Sequence, residues 1–193
     1  TVTVNEVNVA PYWNTTLPEG FSISEEAESH IINLSAYAID EDVPAQTLTF
    51  SLAGEVPAGA KIVKNADLTS WITWKPTEEQ GPGTYPFDVC VSDGVADPVC
   101  ETITVTVGEV NSDPVAKPDF YAVTSSRLEV PSDKGVLAND SDKDIPANIL
   151  TVSQVGSLTG LTLYPDGHFV YAKPGDSTVE YVTFTYTVSD GTD

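Results

Sequence analysis

The chain contains no methionine and, in 193 residues, only two cysteines, two histidines and three tryptophans. Eight basic residues face twenty-nine acidic ones, a formal net charge of −21. Each scarcity excludes something. No apolar run approaches the ~18 residues of a membrane-crossing helix, and no signal peptide is read in this window. So few lysines and arginines leave nucleic acid and anionic membranes repelled, while divalent cations are attracted. His30 sits inside an alternating run and His168 beside an Asp166-Gly167 turn. Neither has a cysteine or serine partner in a recognisable motif, so no nucleophilic or acid–base centre is expected and the chain is read as a non-enzyme. Gly81-Pro82-Gly83 reads as a turn rather than a phosphate loop. Helical periodicity is also missing: the one helix-like stretch, Glu25 to Ser29, is too short and runs straight into an alternating strand.

What is present is repetition. TVTVNEVNVAP opens the chain, and TVTVGEVNSDP follows 103 residues later, from Thr104 to Pro114. IDEDVPAQTLTFS from Ile39 is echoed by SDKDIPANILTVS from Ser141, 102 residues on, and VSDG from Val91 by VSDG from Val188. Three ordered blocks at nearly one offset describe a tandem array of units near 100 residues, each long enough to bury its own core. The expected boundaries are a tail strand and linker of a preceding unit at 1–8, a first unit at 9–108 and a second at 109–193. Thr1–Val4 matches the last strand of the first unit, and nothing after VSDG in the second matches Glu101–Val107. The chain is therefore expected to be a fragment of a longer protein, its second unit lacking the last strand.

Period-two alternation dominates both units. Ile32, Leu34, Ala36 and Ala38 share one face, as do Leu48, Phe50 and Leu52, Ile72 and Trp74, then Phe87, Val89 and Val91, and Ile103, Val105 and Val107. The second unit offers Leu150 and Val152, Phe169 and Tyr171, then Phe184, Tyr186 and Val188. Thirteen glycines and fourteen prolines punctuate these runs. Short strands at this spacing predict an all-β chain of two tandem immunoglobulin-like β-sandwiches. The Cys–Trp–Cys spacing of antibody domains is absent. Cys90 and Cys100 instead flank an SDGVADP turn, where a hairpin sets them opposite each other; a disulfide there contributes roughly 2–3 kcal/mol and implies an oxidising compartment. A metal pair is disfavoured by the long spacing and the lack of a nearby histidine. N-x-S/T sequons begin at Asn14, Asn33 and Asn139.

The acidic pattern at the strand ends carries the chemistry. Asp40 and Asp42 stand two apart in a turn, as do Asp142 and Asp144 in the second unit. Repeated in register beside an EVN linker, this supplies the hard oxygens that calcium takes in sets of about 6–8.

The carrying residues are Glu25 in SISEE, Asp40 and Asp42 in AIDED, WKPTEEQGPGTY around Glu78, VSDG from Val91, and EVNSDP from Glu109. In these the first unit resembles cadherin-like repeats of extracellular proteins, in their dystroglycan-type branch. The second unit, with PVAKPDFYAV and GVLANDSDKD, is similar to bacterial immunoglobulin-like repeats of large surface proteins. The resemblance implies Ca2+ clamped at a domain junction. It would be held by Glu25 and Glu78 or Glu79 of the first unit, by Glu109 and Asn111 of the linker with Asp113 beside them, and by Asp142, Asp144 and Asp190 of the second unit. Asp40, Asp42 and Asp93, helped by Glu6 and Asn8, would form an incomplete outer site. Ser112 departs from the family, whose linkers carry a second aspartate there.

The function so implied is a calcium-stiffened adhesion or spacer repeat of a secreted or cell-surface protein. Its partners would be neighbouring repeats and a cell-surface protein or polysaccharide. The alternative is a carbohydrate-binding accessory module of a polysaccharide-acting enzyme, with Trp71, Tyr12 and Trp13 as a sugar platform. A further expectation is head-to-tail assembly, Thr1–Val4 of one molecule adding to the open edge of another's second unit.

Overall fold

Alternating β-branched and aromatic residues make strands in both halves of the chain, and no α-helix occurs among the described residues, 7–175 and 181–192 of a computed structural model. The chain divides into two compact units between Val110 and Asn111. The first holds β1 (Tyr12–Trp13), β2 (Gly20–Ser24), β3 (Ser29–Asn33), β4 (Ala38–Ile39), β5 (Thr49–Ala53), β6 (Lys61–Lys64), β7 (Ser70–Trp74), β8 (Gly83–Ser92) and β9 (Val99–Gly108). One sheet runs β2-β9-β8-β5, with β2 parallel to β9; the facing sheet runs β3-β7-β6, and β1 pairs with β4. Phe87, Val89 and Val91 of β8 and Ile103, Val105 and Val107 of β9 turn inward against Ile32, Ile72 and Trp74. Each such side chain contributes about 1.5–3 kcal/mol by leaving water. This is a β-sandwich of immunoglobulin-like type.

The second unit holds β10 (Arg127–Val130), β11 (Thr151–Val155), β12 (Leu161–Leu163), β13 (Phe169–Ala172) and β14 (Thr185–Ser189), in sheets β10-β13-β12 and β11-β14. Its buried core is smaller: Val130, Val136, Val152, Phe169 and Tyr171. The repetition survives to the level of register. Thr49 lies opposite Ser92 and donates its hydroxyl to Ser92 O at 3.1 Å; Thr151 lies opposite Ser189 and does the same at 3.3 Å. Among the described residues β14 has β11 as its one strand partner, where β8 has both β5 and β9.

Cys90 and Cys100 are register partners in the β8–β9 hairpin and are joined as a disulfide. The expected continuous strand from Ser29 to Ala38 breaks after Asn33. The Asn33 side chain accepts from Ser35 N at 3.2 Å and opens a short 3-10 turn over Leu34–Ala36, which still delivers Leu34 to the core. Such local side-chain competition with the ladder is the habit of asparagine. The expected tail strand Thr1–Val4 and the ligand Glu6 lie outside the described residues.

Candidate metal centre

Three groups of acidic side chains converge, each inside one unit. In the first unit, Glu25, Glu78 and Glu109 each bring a carboxylate oxygen to within 4.8 Å of the others. Glu25 follows β2, and the parallel pairing of β2 with β9 sets it beside the end of β9. Its N–H donates to Gly108 O at 3.2 Å, and its Oε1 accepts from Val110 N at 2.9 Å. Glu26, at φ 54°, turns the chain away, its N–H bound to Pro76 O. Glu78 opens a 3-10 turn, Glu78–Gln80, closed by a capping box in which Gln80 Oε1 accepts from Thr77 N at 2.9 Å. Glu109 directly follows β9.

The Glu25 side chain is 1% exposed, and its Oε2 has no hydrogen-bond partner. That is a costly state for a carboxylate, about 1–3 kcal/mol for an unsatisfied buried polar atom and more when charged. At an effective dielectric near 20, two like charges within 4.8 Å oppose each other by about 3 kcal/mol. Three hard oxygens around one buried atom short of a donor fit a cation such as calcium.

The other two groups are copies of one design. Asp40 Oδ1 accepts from Asp42 N at 2.9 Å, and Asp142 Oδ1 from Asp144 N at 2.9 Å, folding each D-x-D so that its carboxylates converge. Asp93 completes the first and Asp190 the second. Val9 N donates to both Asp42 oxygens (3.2 and 3.1 Å), as Ser112 N does to both of Asp144 (3.0 and 3.2 Å). Asn8 Nδ2 reaches Asp93 at 2.9 Å, and Asn111 Nδ2 reaches Asp190 at 2.7 Å. A further amide serves each: Gln46 Nε2 donates to Asp42 at 3.1 Å, and Asn148 Nδ2 to Asp144 at 3.0 Å. Asp93 is held below the usual aspartate range, foremost by the backbone N–H of Val95 and next by Asn8.

Several expectations need correction. Glu79 is exposed and occupied by the Thr77 hydroxyl at 3.0 Å, outside the Glu25 group. Asp113 is exposed and belongs to none of the three groups. Position 112 donates its backbone N–H to Asp144, as Val9 does to Asp42, and the departure at Ser112 is confined to its side chain, which brings no carboxylate. Asn8 and Asn111 serve as amide donors to the carboxylates. Gln46 and Asn148 went unseen in the sequence; an amide four residues after each D-x-D is the signal that marks them. The sugar platform does not assemble. Trp13 is buried in the core (9% exposed) against Phe50, because its pairing in β1 turns it inward. Tyr12 donates its hydroxyl to Glu41 at 2.8 Å. Trp71 belongs to a different sheet, half-buried and edge-on to His30, its indole N–H bound to Thr69.

Residues 111–193 match the family model described as Bacterial Ig domain. No curated protein matches the chain. Among solved structures, human protocadherin-24 EC1-2 is 17% identical with a TM-score of 0.57, covering 94% of this chain and 95% of that one. Drosophila N-cadherin EC1-4 is 17% identical with a TM-score of 0.58, over 94% of this chain and 45% of its own. An endo-fucoidan hydrolase of glycoside hydrolase family 107 is 20% identical at a TM-score of 0.44, and the chain spans 27% of its length. The resemblance to cadherin-like and bacterial immunoglobulin-like repeats therefore stands, and at these identities the structural likeness speaks for the fold alone.

Proposed function

We propose that the chain is a pair of calcium-stiffened repeats from the extracellular part of a secreted or surface protein, serving as spacer or adhesion units without catalytic chemistry of their own. The observation that carries this is the Glu25 carboxylate, buried, with one oxygen unpartnered beside Glu78 and Glu109. Glu25, Glu78 and Glu109 would hold the ion in the first unit. Asp142, Asp144 and Asp190 would do so in the second, and Asp40, Asp42 and Asp93 would form a further centre. A bound ion would supply positive charge at the centre of each group.

Connectivity supports the mechanical role. Val110, tied to Glu25, and Ser112, tied to Asp144, lie two residues apart in the chain, so both centres restrain the same short linker. Among the described residues no helix is long and apolar enough to cross a membrane. Head-to-tail strand addition keeps its support in the TVTV echo and in the edge of β14 that lacks a strand partner among the described residues. Deleting residues 1–4 should then abolish concentration-dependent assembly.

The test is a calcium titration followed by small-angle scattering and thermal melting. Binding in the 10⁻⁴–10⁻³ M range typical of extracellular modules should narrow the spread of particle dimensions and raise the melting temperature. No bound metal and unchanged scattering would remove the reading.

A further inference from the structure

The carboxylate of Glu25 occupies space that any side chain at position 81 would need. A Cβ added to Gly81 would meet Glu25 Oε2 at 1.8 Å, its Cδ at 2.8 Å and its Cβ at 3.2 Å. The Gly81 backbone, at φ −109° and ψ 148°, is ordinary extended chain open to every residue type. Backbone freedom is therefore not why glycine stands there. The missing side chain is.

We infer that Gly81 is a positioning residue of the cation centre: its bare Cα is the seat that holds the Glu25 carboxylate among Glu78 and Glu109. The inference rests on the calcium reading of that centre. A clash with the far end of a flexible side chain is ordinarily relieved by rotation. Here rotation has consequences, because Glu25 is fixed at both ends. Its N–H is bound to Gly108 O, its Oε1 holds the Val110 N–H, and the side chain is almost wholly enclosed. A methyl group at 81 drives Oε2 away, and the displaced carboxylate gives up Val110 and its place beside the other two acids. The fold itself loses little, since a carboxylate pushed toward water leaves two like charges behind. Gly81 thus acts on cation binding through Glu25.

The test uses the whole chain, with calcium chloride followed by amide NMR. The Val110 N–H reports on the Glu25 centre, and the Ser112 N–H reports independently on Asp144. Gly81→Ala should raise the calcium midpoint at Val110 at least tenfold and leave that at Ser112 unchanged. In a Glu25→Ala background, where the space is vacated, adding Gly81→Ala should change neither the melting temperature nor the remaining titration. An unchanged Val110 midpoint in Gly81→Ala overturns the inference and leaves the calcium reading standing. A Val110 amide that ignores calcium in the unsubstituted chain overturns both. Should Gly81→Ala unfold the unit, the paired variant decides: folding regained without the Glu25 carboxylate supports the contact, and unfolding in both backgrounds overturns it.

Discussion

At Asp42 and Asp144 the carboxylate oxygens meet a backbone N–H and a side-chain amide, whereas at Glu25 the donors run out after one, leaving Oε2 bare. Both kinds of centre gather three acids within 4.8 Å and bury at least one of them: Asp42 at 6%, Asp144 at 4% with Asp190 at 8%, and Glu25 at 1% exposed. What separates them is where the bare oxygen sits: Asp40 Oδ2 and Asp142 Oδ2 are also buried without a partner. Asp42 and Asp144, however, have both oxygens bound, whereas at Glu25 the bare oxygen is on the most buried acid of its group. A centre with its own donors is organised before any ion arrives, and a cation must compete with Gln46 or Asn148 for the same oxygens. A centre whose most buried carboxylate keeps a bare oxygen is held together by the fold against its own repulsion, and a cation relieves it. Charge count alone does not distinguish the two; the acid that carries the bare oxygen does.

The largest effect should come from removing a carboxylate that is already satisfied. Asp42→Ala strands Val9 N and leaves Gln46 Nε2 only Asn8 Oδ1, and Asp144→Ala strands Ser112 N and leaves Asn148 Nδ2 only the long contact to Asn111 Oδ1. Leaving a buried charge-assisted network half-made costs about 2–4 kcal/mol. The loss should already be present in a chelator and should grow in calcium, where the site's ion is lost as well, measured by urea unfolding. A loss seen only in calcium would erase the contrast between the centres.

Glu25→Gln should act in the opposite direction. The amide removes one charge and brings a donor to Glu78 and Glu109, raising metal-free stability by about 1–3 kcal/mol. For the unsubstituted chain, calcium at 10–100 times its dissociation constant adds about 1.4–2.7 kcal/mol per site. In the variant the share of that gain that belongs to this centre should vanish. Chelator and calcium melts of both proteins check it, and a variant less stable than the parent in chelator would contradict the donor argument.

Much of this was legible in the residues. The fold class followed from period-two runs, since inward Phe87, Val89 and Val91 need no tertiary information to be recognised. The D-x-D pairs and the Cys90–Cys100 hairpin followed from spacing and from the duplicated blocks. What sequence could not show was the direction of single side chains in irregular backbone. Glu25 and Glu26 are adjacent acids in one turn, yet φ 54° at Glu26 sends one inward and the other out. Glu79 was as plausible a ligand as Glu78 until the capping turn assigned it to Thr77. Trp13 lies in a two-residue strand, too short for its parity to be read. Gly81 looked like turn punctuation because its cause lies 56 residues earlier in the chain, in a carboxylate that only folding brings beside it.

The smallest expected effect extends donor accounting to a third place. In the second unit Tyr186 Oη lies 2.9 Å from Asp119 Oδ2, 3.0 Å from Lys117 O, 3.1 Å from Val136 O and 3.4 Å from Asp140 Oδ2, four acceptors for one proton. Burial lifts the Asp119 carboxyl above its ordinary value, against the lowering effect of the Tyr186 and Tyr121 hydroxyls, and Asp140 adds to the lift. Burial also raises the Tyr121 phenol to about 12 and lifts that of Tyr186 as well, each reinforced by Asp119. An acid whose folded-state pKa exceeds its unfolded one binds more protons when folded, so stability falls as pH climbs between the two values. Asp119 therefore favours the folded state below the ordinary aspartate range and penalises it above its own raised pKa. The two phenols add a second loss, beginning above pH 10. Tyr186→Phe removes a hydrogen bond to the Asp119 carboxylate, and the Asp119 pKa should rise further, read from its carboxyl carbon by NMR. A fall would mean that the hydroxyl was not its donor. At Glu25 the missing donor calls for a cation; at Asp119 tyrosine hydroxyls already supply donors, and burial leaves a carboxyl that takes up a proton more readily than an ordinary aspartate.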